Sequence, residues 1–165
     1  MNRERIEETV RFWQAQPDKA KGKPTVIARA EGNKAVMEHG SFSWRTDMPV
    51  PLGGTNEAPS PTALLLSALA GCAVVFIRDT LAPQLDVRLD AIEATAECET
   101  DARGLLGMDN VAPDLSNIGL KIALQSSDPE DAVRQVYQAW QERCPVYLAL
   151  TKALPVATAL EIKRA

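Results

Sequence analysis

The chain has 165 residues, enough for one domain with a sizeable core. Hydrophobic residues at 45% and charged residues at 24% describe a globular chain rather than a disordered one. A net charge of -4 and the lack of a basic stripe interleaved with aromatics argue against nucleic acid as a partner. The first residues, Met1 to Glu8, contain acids and lead into no apolar segment. No secretory signal or membrane span is therefore read, and the expected setting is a reducing cytoplasm with no membrane partner. The three cysteines, Cys72, Cys98 and Cys144, form no disulfide framework by count, and no two are spaced as metal ligands. With His39 the single histidine, a Cys-His nucleophile pair could form only through that residue, which reads as a surface or strand position. No metal site is expected.

Residues 3–14 predict an amphipathic helix with Ile6, Val10 and Trp13 on one face. Residues 16–24, rich in Lys, Pro and Gly, predict a linker, so the chain divides into 1–24, helix and linker, and 25–165, a single domain. Thr25–Glu31 and Ala35–Glu38 predict a hairpin through the Gly32-Asn33 turn, and Ser41–Arg45 a third strand after Gly40. Asp47–Ser60 predicts a loop containing Gly53-Gly54.

Ser60 and Pro61 predict the cap and first turn of a helix. From Ala63 to Ile77 no residue is charged. A helix apolar on every side has to be buried on every side, and this run is too short for a bilayer, which needs roughly 18 apolar residues. It predicts the central helix of the core, broken at Pro83. Val87–Glu99 predicts a long strand with Cys98 facing inward, 101–115 an irregular loop, and Ile118–Leu124 another strand. Asp128 and Pro129 predict the start of a helix ending near Arg143, followed by a break at Cys144-Pro145 and a shorter helix over Val146–Leu154. Val156–Lys163 predicts a closing strand. The order β-β-β-α-β-β-α-α-β predicts an α+β fold, with a curved antiparallel sheet wrapped on the apolar helix.

Cys72 lies inside that helix and Cys144 at a junction where the chain bends. A helix-interior cysteine is usually a packing residue. One helix thiol and one junction thiol also form the pair that thiol redox chemistry uses: the first oxidises to sulfenic acid and the second condenses with it.

The run Gly53-Gly54-Thr55-Asn56-Glu57-Ala58-Pro59-Ser60-Pro61-Thr62-Ala63-Leu64-Leu65-Leu66-Ser67-Ala68-Leu69-Ala70-Gly71-Cys72, with the later Cys144-Pro145-Val146, resembles the OsmC/Ohr family of osmotically inducible and organic hydroperoxide resistance proteins. The resemblance implies an intertwined homodimer with active sites at the subunit interface. It implies that Cys72 is the peroxidatic thiol and Cys144 the resolving thiol, reducing an organic hydroperoxide to its alcohol without a cofactor. Electrons would return through a dithiol such as a lipoyl group on a partner protein. A buried thiol needs a nearby cation to ionise. The family's pattern is an arginine from the N-terminal strands oriented by a glutamate at the start of the cysteine helix. Arg29 is the first candidate for that cation and Arg45 the second. The glutamate falls close to Thr62 or Ala63, where this chain has no acid, and Glu57 is the candidate replacement. The alternative is a non-peroxidase member that binds a small hydrophobic ligand or senses oxidants.

Overall fold

The computed structural model describes residues 2–108, 110–152 and 154–164. Position 109 in the predicted loop, position 153 in the predicted second helix, and Met1 and Ala165 lie outside the described residues. The chain begins with helix α1, Asn2–Ala15. Strands β1 (Ile27–Glu31), β2 (Lys34–His39) and β3 (Phe42–Asp47) then form an antiparallel sheet in sequence order. The hairpin register pairs Glu31 with Lys34 across the Gly32-Asn33 turn, where Gly32 takes the positive φ of +60° that a tight hairpin turn demands. Helix α2, Pro61–Phe76, follows, and then strand β4 (Ala91–Glu99), short helix α3 (Ala102–Leu105) and strand β5 (Ser116–Gln125). Strands β4 and β5 form a second antiparallel sheet. Helices α4 (Glu130–Arg143) and α5 (Pro145–Thr151) complete the described elements. This is an α+β architecture.

The start of α2 is held by a carboxylate. Asp47, 3% exposed, accepts hydrogen bonds from the backbone N–H groups of Met48, Thr55 and Glu57 and from the Thr55 hydroxyl. These bonds to the ionised form hold its carboxyl down at about 2, led by the Glu57 N–H and the Thr55 hydroxyl. The loop closes so tightly that a Cβ on Gly54 would stand 1.8 Å from the Met48 carbonyl oxygen, so the Gly-Gly motif serves close packing here. Ser60 then caps α2 by accepting from the Ala63 N–H at 3.2 Å, as its sequence predicts.

Several expectations are corrected. Pro83 does not break the helix. The rod continues to Gln84 through a π-helical stretch, Ile77–Leu81, whose shifted bonding accommodates the proline's missing N–H and its ring. The rod is therefore 24 residues, Pro61–Gln84, and meets the length and apolarity of a membrane span on those criteria alone. Its packing is that of a core helix. Leu69, Ala73, Ile77 and Leu81, spaced by one turn, are buried against Val136, Ala139 and Trp140 of α4 and against Ile92 and Leu120 of the β4–β5 sheet.

The expectation that α2 is buried all round fails within one chain. Ser67, Ala68, Gly71 and Val75, on the opposite side, are exposed. The predicted closing strand Val156–Lys163 forms no strand and joins neither sheet; Val156, Leu160 and Ile162 are 85%, 86% and 78% exposed, with no packing to hold the segment extended. The loop at 101–115 contains α3, capped by the Asp101 carboxylate. Asp128 does not cap α4; it accepts instead from the Arg88 N–H and ties α4 to the approach of β4.

The Asp47 network sets a pH dependence. Its pKa is depressed in the fold, so its contribution is present above the unfolded value of about 3.9 and is lost as pH falls through about 2. Thermal melts of wild type and Asp47→Asn between pH 2 and 7 are expected to differ most near neutrality and to converge toward pH 2. A constant difference across that range would contradict the assignment.

Candidate active site

Cys72 and Cys144 meet because two local rules bring them together. Pro145 forces the residue before it into extended backbone, and Cys144 has φ -70° and ψ 113°. Its N–H still closes the last turn of α4 on the Trp140 carbonyl at 2.8 Å, and its carbonyl begins α5 by accepting from the Leu148 N–H at 2.9 Å. The Cys144 side chain thereby turns inward at the α4–α5 corner and is fully buried. On α2, Cys72 lies one residue from buried Ala73 and one from exposed Gly71. It occupies the margin between the packed and the bare sides of the helix and is half-buried.

The two sulfurs, both free thiols, are 3.1 Å apart. A disulfide, at about 2.05 Å, is a short closing movement away. Burial distinguishes the two: Cys72 is partly exposed, while Cys144 is fully buried. Burial pushes the Cys72 thiol up to about 11, with Cys144 adding to the rise and the Val146 backbone N–H opposing it. Among the described residues no cation lowers it.

The predicted cations are placed elsewhere within the chain. Arg29 pairs with Glu38, and Arg45 pairs with Glu31 at 2.9 Å. The β1–β2–β3 register puts Arg29, Val36 and Arg45 in one row on one face of the sheet, so any surface that meets one arginine meets both. Glu57 pairs with Lys34 and orients neither arginine. The carboxylates that pair with the two arginines are Glu38 and Glu31, which the sequence reading missed. The hairpin register carried that signal, since Glu38 is diagonal to Arg29 on the same face. His39 lies at the end of β2 and donates from Nδ1 to the Thr25 carbonyl at 2.9 Å, so it is a strand residue as read. Cys98 packs inward from β4 beside Leu66, Leu105 and Leu115, on a cavity of about 530 Å³ at the start of α2.

A second cavity, of about 300 Å³, lies among α2, β5, α4 and α5, and neither cysteine of the pair lines it. Leu69, one turn before Cys72, and Trp140, one turn before Cys144, both line it, with Leu120, Tyr137, Tyr147 and Leu150. It is the smaller of the two, yet it is the one whose walls carry the neighbours of both sulfurs. The arrangement holds a half-buried thiol and a fully buried second thiol in contact with it.

No curated protein matches the chain. Among solved structures, an OsmC-like protein from Mycoplasma pneumoniae superposes with a TM-score of 0.66 at 19% identity, over 79% of this chain and 89% of that one. A protein from Psychrobacter arcticus 273-4, named for osmotic stress and detoxification response, gives 0.60 at 22% identity, covering 77% and 88%. An organic hydroperoxide resistance protein OsmC from Legionella pneumophila gives 0.57 at 24% identity, covering 79% and 91%. These likenesses establish the fold. Residues 54–159, from the Gly-Gly loop through the thiol pair into the C-terminal segment, match the profile of the OsmC-like proteins, and the chain belongs to that family.

Proposed function

We propose that the chain is a thiol-dependent peroxidase that reduces organic hydroperoxides to alcohols, acting as a homodimer. The observation that carries this reading is the pair of free sulfurs 3.1 Å apart, one accessible and one fully buried. The Cys72 thiolate attacks the terminal oxygen of ROOH. An S–O bond forms as the O–O bond breaks, the alkoxide takes a proton and leaves as ROH, and Cys72 becomes a sulfenic acid. The Cys144 thiol then attacks the Cys72 sulfur, water leaves, and a disulfide joins the two. A dithiol of the lipoyl class reduces that disulfide by exchange and is itself oxidised to its cyclic disulfide. The Legionella relative's name, organic hydroperoxide resistance, is in line with this substrate class.

The dimer is proposed on three features. The side of α2 carrying Ser67, Gly71 and Val75 is bare although apolar. The β1–β3 sheet leaves Ile27 and Phe42 48% and 71% exposed. The C-terminal segment keeps the strand period, with Val156, Thr158, Leu160 and Ile162 on one parity, but has no partner strand. A second copy covering α2 and pairing with this segment would bring its own arginine row to the margin where Cys72 sits. In this reading Arg29 or Arg45 of the second copy lowers the Cys72 pKa. The second reading, a ligand-binding or oxidant-sensing member without turnover, rests on the raised Cys72 pKa within one chain and on the absent acid at Thr62.

Treatment with one equivalent of cumene hydroperoxide is expected to form a Cys72–Cys144 disulfide, read by peptide mass spectrometry. Cys72→Ser abolishes it, and Cys144→Ser traps a sulfenic acid that dimedone labels. Unmodified Cys72 after this treatment favours the second reading.

The activating cation is tested by the pH profile of Cys72 alkylation in a Cys98→Ser background. An apparent pKa below the ordinary value of about 8.5 is expected. Removing the responsible guanidinium, by Arg29→Met or Arg45→Met, raises that pKa and slows alkylation at pH 7 by about tenfold or more. Identical profiles in both variants would contradict the role of these arginines.

A further inference from the structure

The larger cavity, of about 530 Å³, is a cleft at the start of α2, and neither sulfur of the thiol pair lines it. It opens on the core-facing side of that helix. Leu66, on its wall, is one turn before buried Leu69 and two turns before buried Ala73. The bare side carrying Ser67, Gly71 and Val75, where the second copy is placed, is opposite. Farther along the helix, α4 packs against the core-facing side; over the first turns the cleft takes its place.

Both walls are pinned. One is the loop of Met48, Pro49 and Leu52, held closed by the Asp47 carboxylate and by the close approach at Gly54. The other carries Ala102, Leu105 and Pro113. Asp101 caps its short helix, and a Cβ on Gly104 would stand 2.6 Å from the Ala112 carbonyl oxygen. A preformed, mostly apolar cleft of this size has the build of a small-molecule site.

Charge narrows the ligand. Among the described residues, Asp101 is the only charged one lining the cleft. Its carboxylate pairs with the Arg103 guanidinium at 2.6 Å and accepts from the Arg103 N–H at 3.0 Å. These bonds, the guanidinium leading, hold it down at about 2. A ligand carboxylate would meet this anion and no lining cation. A ligand ammonium would have to displace Arg103. A neutral ligand does neither, and its apolar body covers Leu66 and Leu115.

We propose that this cleft binds a neutral, mainly apolar molecule, such as a long-chain alcohol, and discriminates against acids and amines of the same chain length. The ligand completes the core beside the first turns of α2. The site is distinct from the thiol pair and holds under either reading of that pair.

The test uses reduced full-length protein at pH 7 with decanol, decanoate and decylammonium. Affinity is measured by calorimetry. Decanol is expected to bind at least about tenfold more tightly than either charged ligand. Two readouts locate the site. Cys98, half-buried on the cleft wall, is expected to be alkylated more slowly with decanol bound, while Cys72 is unaffected, both followed by peptide mass spectrometry. Leu105→Glu, at a wall position 57% exposed and so tolerant of charge, is expected to weaken decanol about tenfold. Equal affinity for all three ligands, no binding of decanol, or binding that leaves both Cys98 alkylation and the Leu105→Glu affinity unchanged overturns the proposal. A cleft filled by the second copy would show as no binding. The readings fail separately. Decanol binding here without peroxide-driven disulfide formation removes the peroxidase and keeps this site. Disulfide formation without decanol binding does the reverse.

Discussion

An apolar rod must be covered, and this chain covers one side of it. Ala73 of α2, with Ile77 and Leu81 of the π-helical stretch, is sealed in the core with α4, and Leu69 is buried on the same side, while Ser67, Gly71 and Val75 on the opposite side are exposed. The hydrophobic effect gives roughly 25 cal/mol for each Å² of apolar surface removed from water, so a bare apolar flank is a standing drive for association. Much of what is unusual in the fold follows. The first sheet stands apart with Phe42 and Ile27 uncovered, the C-terminal segment alternates like a strand yet pairs with nothing, and Cys72 lies on the border of the covered and uncovered sides. The second copy proposed above answers all of these together.

The thiol chemistry depends on the same border. Cys144 is held at a helix corner by Pro145 and hidden completely, so it can react only with the sulfur beside it. Cys72 is reachable, but its surroundings in one chain oppose ionisation: burial and a neighbouring thiol push it up, and one backbone N–H is the only opposing influence. A site built this way is quiet until a positive charge arrives. In the proposed dimer, the arginines on the β1–β3 face, paired with Glu31 and Glu38 within the chain, are the charges a second copy would bring.

Much of this was legible in the residues. Ser60-Pro61, Gly32-Asn33 and Cys144-Pro145 each dictate a local backbone shape, and each acts where it was read. The two-residue period of β4 put Cys98 inward, as found. What could not be read depends on distant parts of the chain. Pro83 reads as a stop because a proline clashes with an ordinary α-helix, and the π-helical stretch before it removes the clash. The sequence offers Glu57 as the partner of an arginine, whereas in the folded chain Glu57 pairs with Lys34, and Arg29 and Arg45 pair with Glu38 and Glu31. The Val156–Lys163 segment has the pattern of a strand, but alternation alone does not choose a partner strand, and the segment joins neither sheet of the single chain. The Trp140 cavity has no local motif, because its walls come from α2, β5, α4 and α5 together.

The central claim is that the bare side of α2 is covered by another copy of the same chain. Sedimentation velocity on the reduced full-length protein over a range of concentrations tests it directly. The account predicts a species of twice the chain mass that persists on dilution to low micromolar, and that dissociates or weakens when a charge is introduced into that side by Gly71→Glu. A monomer at all concentrations would contradict it, and with it the supply of a cation to Cys72 from a neighbouring subunit.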